Sequence, residues 1–302
     1  MSAPEGDWKV AVQAGCELGE HPVWDAASGT VVWVDLVTGE VHRSTPPSRQ
    51  GGVWDDTSVA VGAAIGVVAL REDGGLVAAT DSAFAFLDSA GRPDGAPITV
   101  ELPTGASFND GACDPAGRFL AGTTSDLDRP GNGVLWSLDP SGRVSTVLDG
   151  LVESNGVGWT RDGATVSCVD SGEPVIRRYA YDCADGTFGQ RLSDLAVLRD
   201  GEGVPDGLVV DADDNVWVAL WEGGAIRQYA PDGAVLVHLD VPVDLPTCPG
   251  FAGPDLDQLV VTTAWQGLSL AARADQPWAG HLLVAPVQVR GLPPHRFLGG
   301  PR

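Results

Sequence analysis

The chain has 302 residues, with 40 Gly, 22 Pro, 10 Trp, 5 Cys and a single Met, and 18 basic against 41 acidic residues give a formal charge of −23. So acidic a surface repels phosphate backbones and anionic bilayers, which argues against nucleic-acid and membrane partners. A hydrophobic share of 43% is globular, and a chain of this length buries enough surface to fold without a disulfide or a structural metal. The opening Met1–Asp7 has no basic segment followed by an apolar run, so no secretory leader is expected. No apolar stretch approaches about 18 residues, so no transmembrane helix is expected either. Cys16, Cys113, Cys168, Cys183 and Cys248 are odd in number and show no metal or redox spacing, which fits reduced, buried thiols in a cytoplasmic protein.

The elements, taken along the chain, are short runs rich in Val, Leu, Trp and Thr, punctuated by Gly and Asp-x-x-Gly turns. Trp8 to Ala14 is a first strand, set apart from the repeats. After it a unit recurs: an apolar strand, an Asp/Gly turn, a second apolar strand, and a third carrying an aromatic residue or Arg. Copies begin at Pro22, Gly66, Gly111, Gly156, Gly207 and Gly250, separated by 44, 45, 45, 51 and 43 residues. No segment of useful length has a helical period. A repeat of about 40–50 residues with four short strands is the pattern of a β-propeller. The expected fold is therefore all-β, a single six-bladed propeller over residues 1–302 with four-stranded antiparallel blades. The isolated strand at Trp8–Ala14 is expected to complete the last blade and close the ring.

In a propeller the innermost strand of each blade lines a central channel. The residues just before each repeat start therefore reach the same channel mouth, and four of them are carboxylates or amides: Glu20, Asn109, Asn155 and Asp206. Singly, Asn-Gly and Asp-Gly are turn dipeptides. A shared register across four blades is different, because converging acids and amides are costly to bury unless a cation compensates them. Oxygen ligands of this kind suit Ca²⁺, Mg²⁺ or Mn²⁺, and Zn²⁺ is also compatible.

Other chemistries lack a signature. There is no Gly-x-Ser-x-Gly elbow, no His-Glu-x-x-His and no phosphate loop. The histidines His21, His42, His238, His281 and His295 share no triad spacing, although His21 adjoins Glu20. Trp221 and Trp265 follow second strands and can face either the blade packing or the channel mouth. Arg177-Arg178, a basic doublet, reads as a solvated strand edge.

Several longer motifs occur in a fixed order: Leu18-Gly19-Glu20-x-Pro22-Val23-Trp24, Phe108-Asn109-Asp110-Gly111 continuing to Ala121-Gly122-Thr123, Ser154-Asn155-Gly156, and Val204-Pro205-Asp206-Gly207-Leu208. In these the chain resembles the senescence marker protein (regucalcin), gluconolactonase and luciferin-regenerating enzyme family. The resemblance runs on through Val261-Thr262-Thr263-Ala264 to Gly291-Leu292-Pro293. It implies one divalent metal (Ca, Mn, Mg or Zn) held by Glu20, Asn155 and Asp206, with Asn109 close by as a substrate contact and Asp206 as general base. It also implies hydrolysis of lactones, most often sugar lactones. Where many such members carry a substrate-binding Arg, two residues before the Asn of Asn-Asp-Gly, this chain has Ser107. The acidic substrate contact after Ala-Gly-Thr falls at Asp126 or Leu127. Loss of the cation is expected to weaken recognition of polyhydroxy or anionic substrates.

The function expected is thus a metal-dependent lactonase that polarises the ring carbonyl for water attack. Two alternatives stand beside it. One is a specialised-pathway hydrolase acting on a non-sugar ester-like or organophosphate-like substrate. The other is a non-catalytic calcium-binding propeller. The expected partner is a small-molecule substrate, and the expected state a monomer or weak dimer.

Overall fold

The computed structural model describes residues 7–48, 53–124 and 131–301. Among these residues, twenty-five strands fall into six sheets arranged as six blades. Blade 1 runs outward from Gly19–Asp25 through Thr30–Asp35 and Glu40–Thr45 to Asp55–Ala60. The inner strands of blades 2 to 6 are Ile65–Leu70, Ser107–Cys113, Ser154–Trp159, Val204–Val210 and Pro246–Ala252. Each inner strand packs against those of its two neighbours, and the ring closes between Gly19–Asp25 and Pro246–Ala252. The six repeat starts all lie inside inner strands.

Lys9–Val12 forms the outermost strand of blade 6, antiparallel to Leu282–Pro286, so the first strand of the chain does complete the last blade. The Trp8 indole ties the same segment to the Asp240 carbonyl of blade 5, at 2.7 Å. The long spacing of 51 residues has a local cause. In blade 4 the outer position is filled in two pieces, Thr187–Arg191 and Ala196–Val197, which pair with opposite ends of Val175–Asp182.

The core lies between blades. Val31 to Val34, Leu76 to Ala79 and Val216 to Leu220 are buried along their length, as befits second strands packed on both faces. The Asp-x-x-Gly turns are built by side-chain capping: one oxygen of Asp114 accepts the backbone N–H groups of Ala116 and Arg118, at 3.0 and 2.7 Å. The second oxygen accepts from Arg118 Nη1 and Tyr181 Oη.

One helix is present among the described residues, Leu270–Asp275, capped by the Ser269 hydroxyl at the Ala272 N–H. At six residues it is too short for periodicity to declare, and it leaves the fold nearly all-β. One sequence expectation needs correction: Arg177-Arg178 is not a solvated edge. Arg177 is buried and pairs with Asp170 at 3.0 Å and with Glu173 at 2.5 Å, while Arg178 holds the Ser193 and Pro231 carbonyls. Alternation along the strand turns Arg177 inward toward an acid from the neighbouring strand.

The C-terminal segment lies across the end of the ring opposite the mouth. The Leu256 carbonyl accepts the Gly291 N–H, Phe297 exchanges backbone bonds with Leu70 and Glu72, and Leu298 donates to the Gly117 carbonyl. Arg296 reaches Asp25 Oδ1 at 2.7 Å. The tail thereby straps blades 1, 2, 3 and 6 together.

Candidate active site at the channel mouth

All six inner strands depart from regular register at their first residues: between Glu20 and Val23, Ile65 and Val67, Phe108 and Gly111, Ser154 and Val157, Pro205 and Leu208, and Pro246 and Cys248. Such bulges bend a strand and re-aim its side chains. They recur at one level of the ring. The repeat register that singled out Glu20, Asn109, Asn155 and Asp206 is therefore a structural register as well.

Those four residues line one cavity of about 150 Å³ at the channel mouth. Glu20, Asn155 and Asp206 are each only 6% exposed. Burial raises the Glu20 carboxyl well above the usual range, and Asp206 and Asp110 push it further. Burial does the same to Asp206, reinforced by Glu153 and Asp110. Among the described residues lining the cavity there is no Lys, Arg or His to offset this charge.

Asn155 supplies the sharpest detail. Its Nδ2 donates to Ser171 Oγ at 3.1 Å, and Ser171 in turn donates to the Pro205 carbonyl at 2.6 Å. The Ser171 proton is committed to that carbonyl, so Ser171 can only accept from Asn155, which fixes the amide orientation. Asn155 Oδ1 is left buried without a hydrogen-bond partner. A buried, oriented, unsatisfied carbonyl oxygen beside two uncompensated carboxylates is the donor set of an oxygen-ligated divalent cation. The residues present fit such an ion.

Second-strand aspartates brace the loops that carry these groups. Asp35 accepts the N–H groups of Glu17 and Leu18, just before Glu20, and Asp170 accepts those of Val152 and Glu153, just before Asn155. Asn109 donates to the Ser154 carbonyl at 3.1 Å, leaving its own oxygen for a ligand.

Sequence reasoning missed Glu153, which lines the cavity two residues ahead of Asn155, and Ser171. An acid at that spacing shares a strand face with the Asn, and that was the available signal. Of the two tryptophans left open, Trp221 lines the cavity. Trp265 instead lies under Arg273, 3.9 Å from guanidinium carbon to ring centroid, and bonds the Gly15 carbonyl, while its neighbour Gln266 reaches the cavity. Ser107 is exposed on the strand of Asn109, with its Oγ 3.4 Å from Thr124 Oγ1, and is not among the cavity-lining residues. Asp126 and Leu127 lie outside the described residues.

The model of the SMP-30/Gluconolactonase/LRE-like region matches residues 18–265, from the loop before Glu20 to the end of the last inner hairpin. The chain belongs to this SMP-30/gluconolactonase family. It is 37% identical over 290 residues to pentonolactonase XacC of Haloferax volcanii, an alignment covering 94% of this chain and 96% of that protein. It is 34% identical to the 6-deoxy-6-sulfogluconolactonase of Pseudomonas putida, covering 96% and 98%. Among solved structures, the calcium-binding protein regucalcin from Agrobacterium tumefaciens superposes with a TM-score of 0.88 at 27% identity, over 97% of this chain and 98% of that one. All the cavity-lining groups named above except Gln266 fall inside the family region. The C-terminal strap lies beyond it.

Proposed function

We propose that this chain is a metal-dependent lactonase whose reaction takes place in the cavity between Glu20, Asn155 and Asp206. The observation that carries the reading is the orphaned Asn155 oxygen, held beside two buried carboxylates with no cationic partner. The relatives named for pentonolactone and sulfogluconolactone hydrolysis support the reaction class. A divalent cation held by these three residues supplies a Lewis acid for the ring carbonyl.

The protein's own groups divide the remaining work. Asp206 would take the proton of the attacking water. Asn109 presents its amide oxygen to a substrate hydroxyl, and Glu153 offers another acceptor on the same wall. Trp221 supplies a flat apolar face against which a sugar ring packs. Ser171 holds the Asn155 amide in its orientation.

The test is proton release on a panel of sugar and aliphatic lactones. Chelated protein is compared with samples restored by Ca²⁺, Mn²⁺, Mg²⁺ or Zn²⁺. Hydrolysis that disappears on chelation and returns with an ion is the expected result. A folded, ion-binding protein silent on every lactone would overturn the reading, and turnover of phosphotriesters alone would move it to the organophosphate-like alternative.

The Ser107 position makes a separate prediction. Ser107→Arg should raise kcat/KM on polyhydroxylated lactones about tenfold, the worth of one charge-assisted hydrogen bond, and leave aliphatic lactones unchanged. Equal rates for the two proteins on every substrate would remove Ser107 from the specificity argument.

A further inference from the structure

One residue further down the bulged strands of blades 1, 3 and 6, a second tier of side chains lies beneath the first, while blades 4 and 5 have Gly156 and Gly207 at that level. Below Glu20 comes His21, below Asn109 comes Asp110, and blade 6 contributes Cys248. In a regular strand, consecutive side chains point to opposite faces. The bulges lift that restriction, so Glu20 and His21, and likewise Asn109 and Asp110, both reach the channel. His21 itself has a left-handed backbone, φ 49°. That conformation is uncommon for a residue with a side chain and signals a position held by its surroundings.

The three groups meet. His21 Nδ1 lies 2.9 Å from Asp110 Oδ1, and one ligand atom from each of His21, Asp110 and Cys248 falls within 4.8 Å of the other two. All three are buried or nearly so. The chain makes room for them with glycine. A Cβ on Gly207, the residue below Asp206, would collide with the Cys248 thiol, and one on Gly156, below Asn155, would strike the backbone around Leu208. Beneath the trio lies a second cavity of about 120 Å³, walled by Trp24, Val157, Leu208 and Phe251 and floored by Pro293 and His295 of the C-terminal strap.

We propose that His21, Asp110 and Cys248 form a second cation site in the channel, distinct in chemistry from the first and selective for Zn²⁺ or Co²⁺. The first tier offers only oxygen, suited to a hard cation, whereas the second offers nitrogen, oxygen and sulfur, the borderline-soft set preferred by zinc. With bonds of about 2.0–2.3 Å, tetrahedral ligand atoms sit roughly 3–4 Å apart, so the observed spacing needs only small side-chain movements. Three protein ligands would leave a fourth position open to water, and His21 and Cys248 both line the lower cavity. Spread over blades 1, 3 and 6, the site joins the ring across its axis. This inference concerns the tier beneath the lactonase site, and its readout needs no turnover.

Cobalt titration of the chelated full-length protein tests it. The expected result is two Co²⁺ per chain, one giving a sulfur-to-cobalt charge-transfer band with intense tetrahedral visible absorption. Cys248→Ser should abolish that band and reduce the stoichiometry to one. His21→Gly, which suits the left-handed backbone and so keeps the fold, should abolish it too. Asp206→Asn should leave the band in place, so that failure of the upper site is read separately. A single bound ion without the band would overturn the proposal, as would two ions without it. A band that survives Cys248→Ser would place the thiolate at another cysteine and overturn it equally.

Discussion

Asp206→Asn should lower lactone turnover by about two to four orders of magnitude, the usual contribution of a positioned general base. The substitution keeps the shape and one ligand oxygen while removing the charge. Two causes of loss can then be told apart by raising the cation concentration. Glu20→Gln, which removes charge from a proposed ligand to which no proton transfer is assigned, should recover most of its rate at saturating ion. Asp206→Asn should not, because saturating ion restores the Lewis acid but not the base. Full recovery of both variants would make Asp206 a ligand only. The chelated proteins carry a second signal. Glu20 and Asp206 repel one another in a buried site without a cation. Neutralising either should therefore raise the melting temperature of the ion-free protein even as it removes activity. A stabilised but inactive variant would mark these carboxylates as groups retained for chemistry at the expense of the fold.

Phe297→Ala should cost about 3–5 kcal/mol of stability, a large share of the roughly 5–15 kcal/mol typical of a folded protein. Phe297 is 1% exposed and packs with Phe86, at 6.3 Å between ring centroids, in the cluster between blades 2 and 3. Its backbone is bonded on both sides by blade 2, and Arg296 beside it holds Asp25. Truncation would leave a cavity and loosen the strap together. Urea denaturation monitored by tryptophan fluorescence measures the loss. A change below about 1 kcal/mol would mean that the strap only lies on the propeller.

Much of this architecture is legible in the chain because a propeller writes its geometry repeatedly. Each blade places the same bulge at the same level, so Glu20, Asn109, Asn155 and Asp206 share a register in the sequence as they share a cavity in space. What repetition does not carry is harder to see. Ser171 comes from the end of a second strand and acts only by fixing an amide, a role with no sequence pattern. The meeting of His21, Asp110 and Cys248 depends on bulges that let neighbouring side chains face the same way, against the alternation by which strands are read. Arg177 misleads because a pair of arginines reads as surface until the acid beside it is known. The helix at Leu270–Asp275 is too short for its period to show, and only its Ser269 cap marks it.

The closing strand has a consequence for how the molecule is made. Lys9 pairs with Val284, and Val12 with Leu282, so the contact that completes blade 6 spans nearly the whole chain. Contacts so distant in sequence are slow to form, because loop closure is costly until the rest of the structure is in place. The first strand emerges from the ribosome early and must wait, unpaired, for its partner near the opposite terminus. Glu20 and Asp206 approach one another only when blades 1 and 5 take their places in a closed circle. The channel-mouth cavity is therefore a late product of folding, and a nascent or truncated chain carries Glu20 and Asp206 without yet bringing them together.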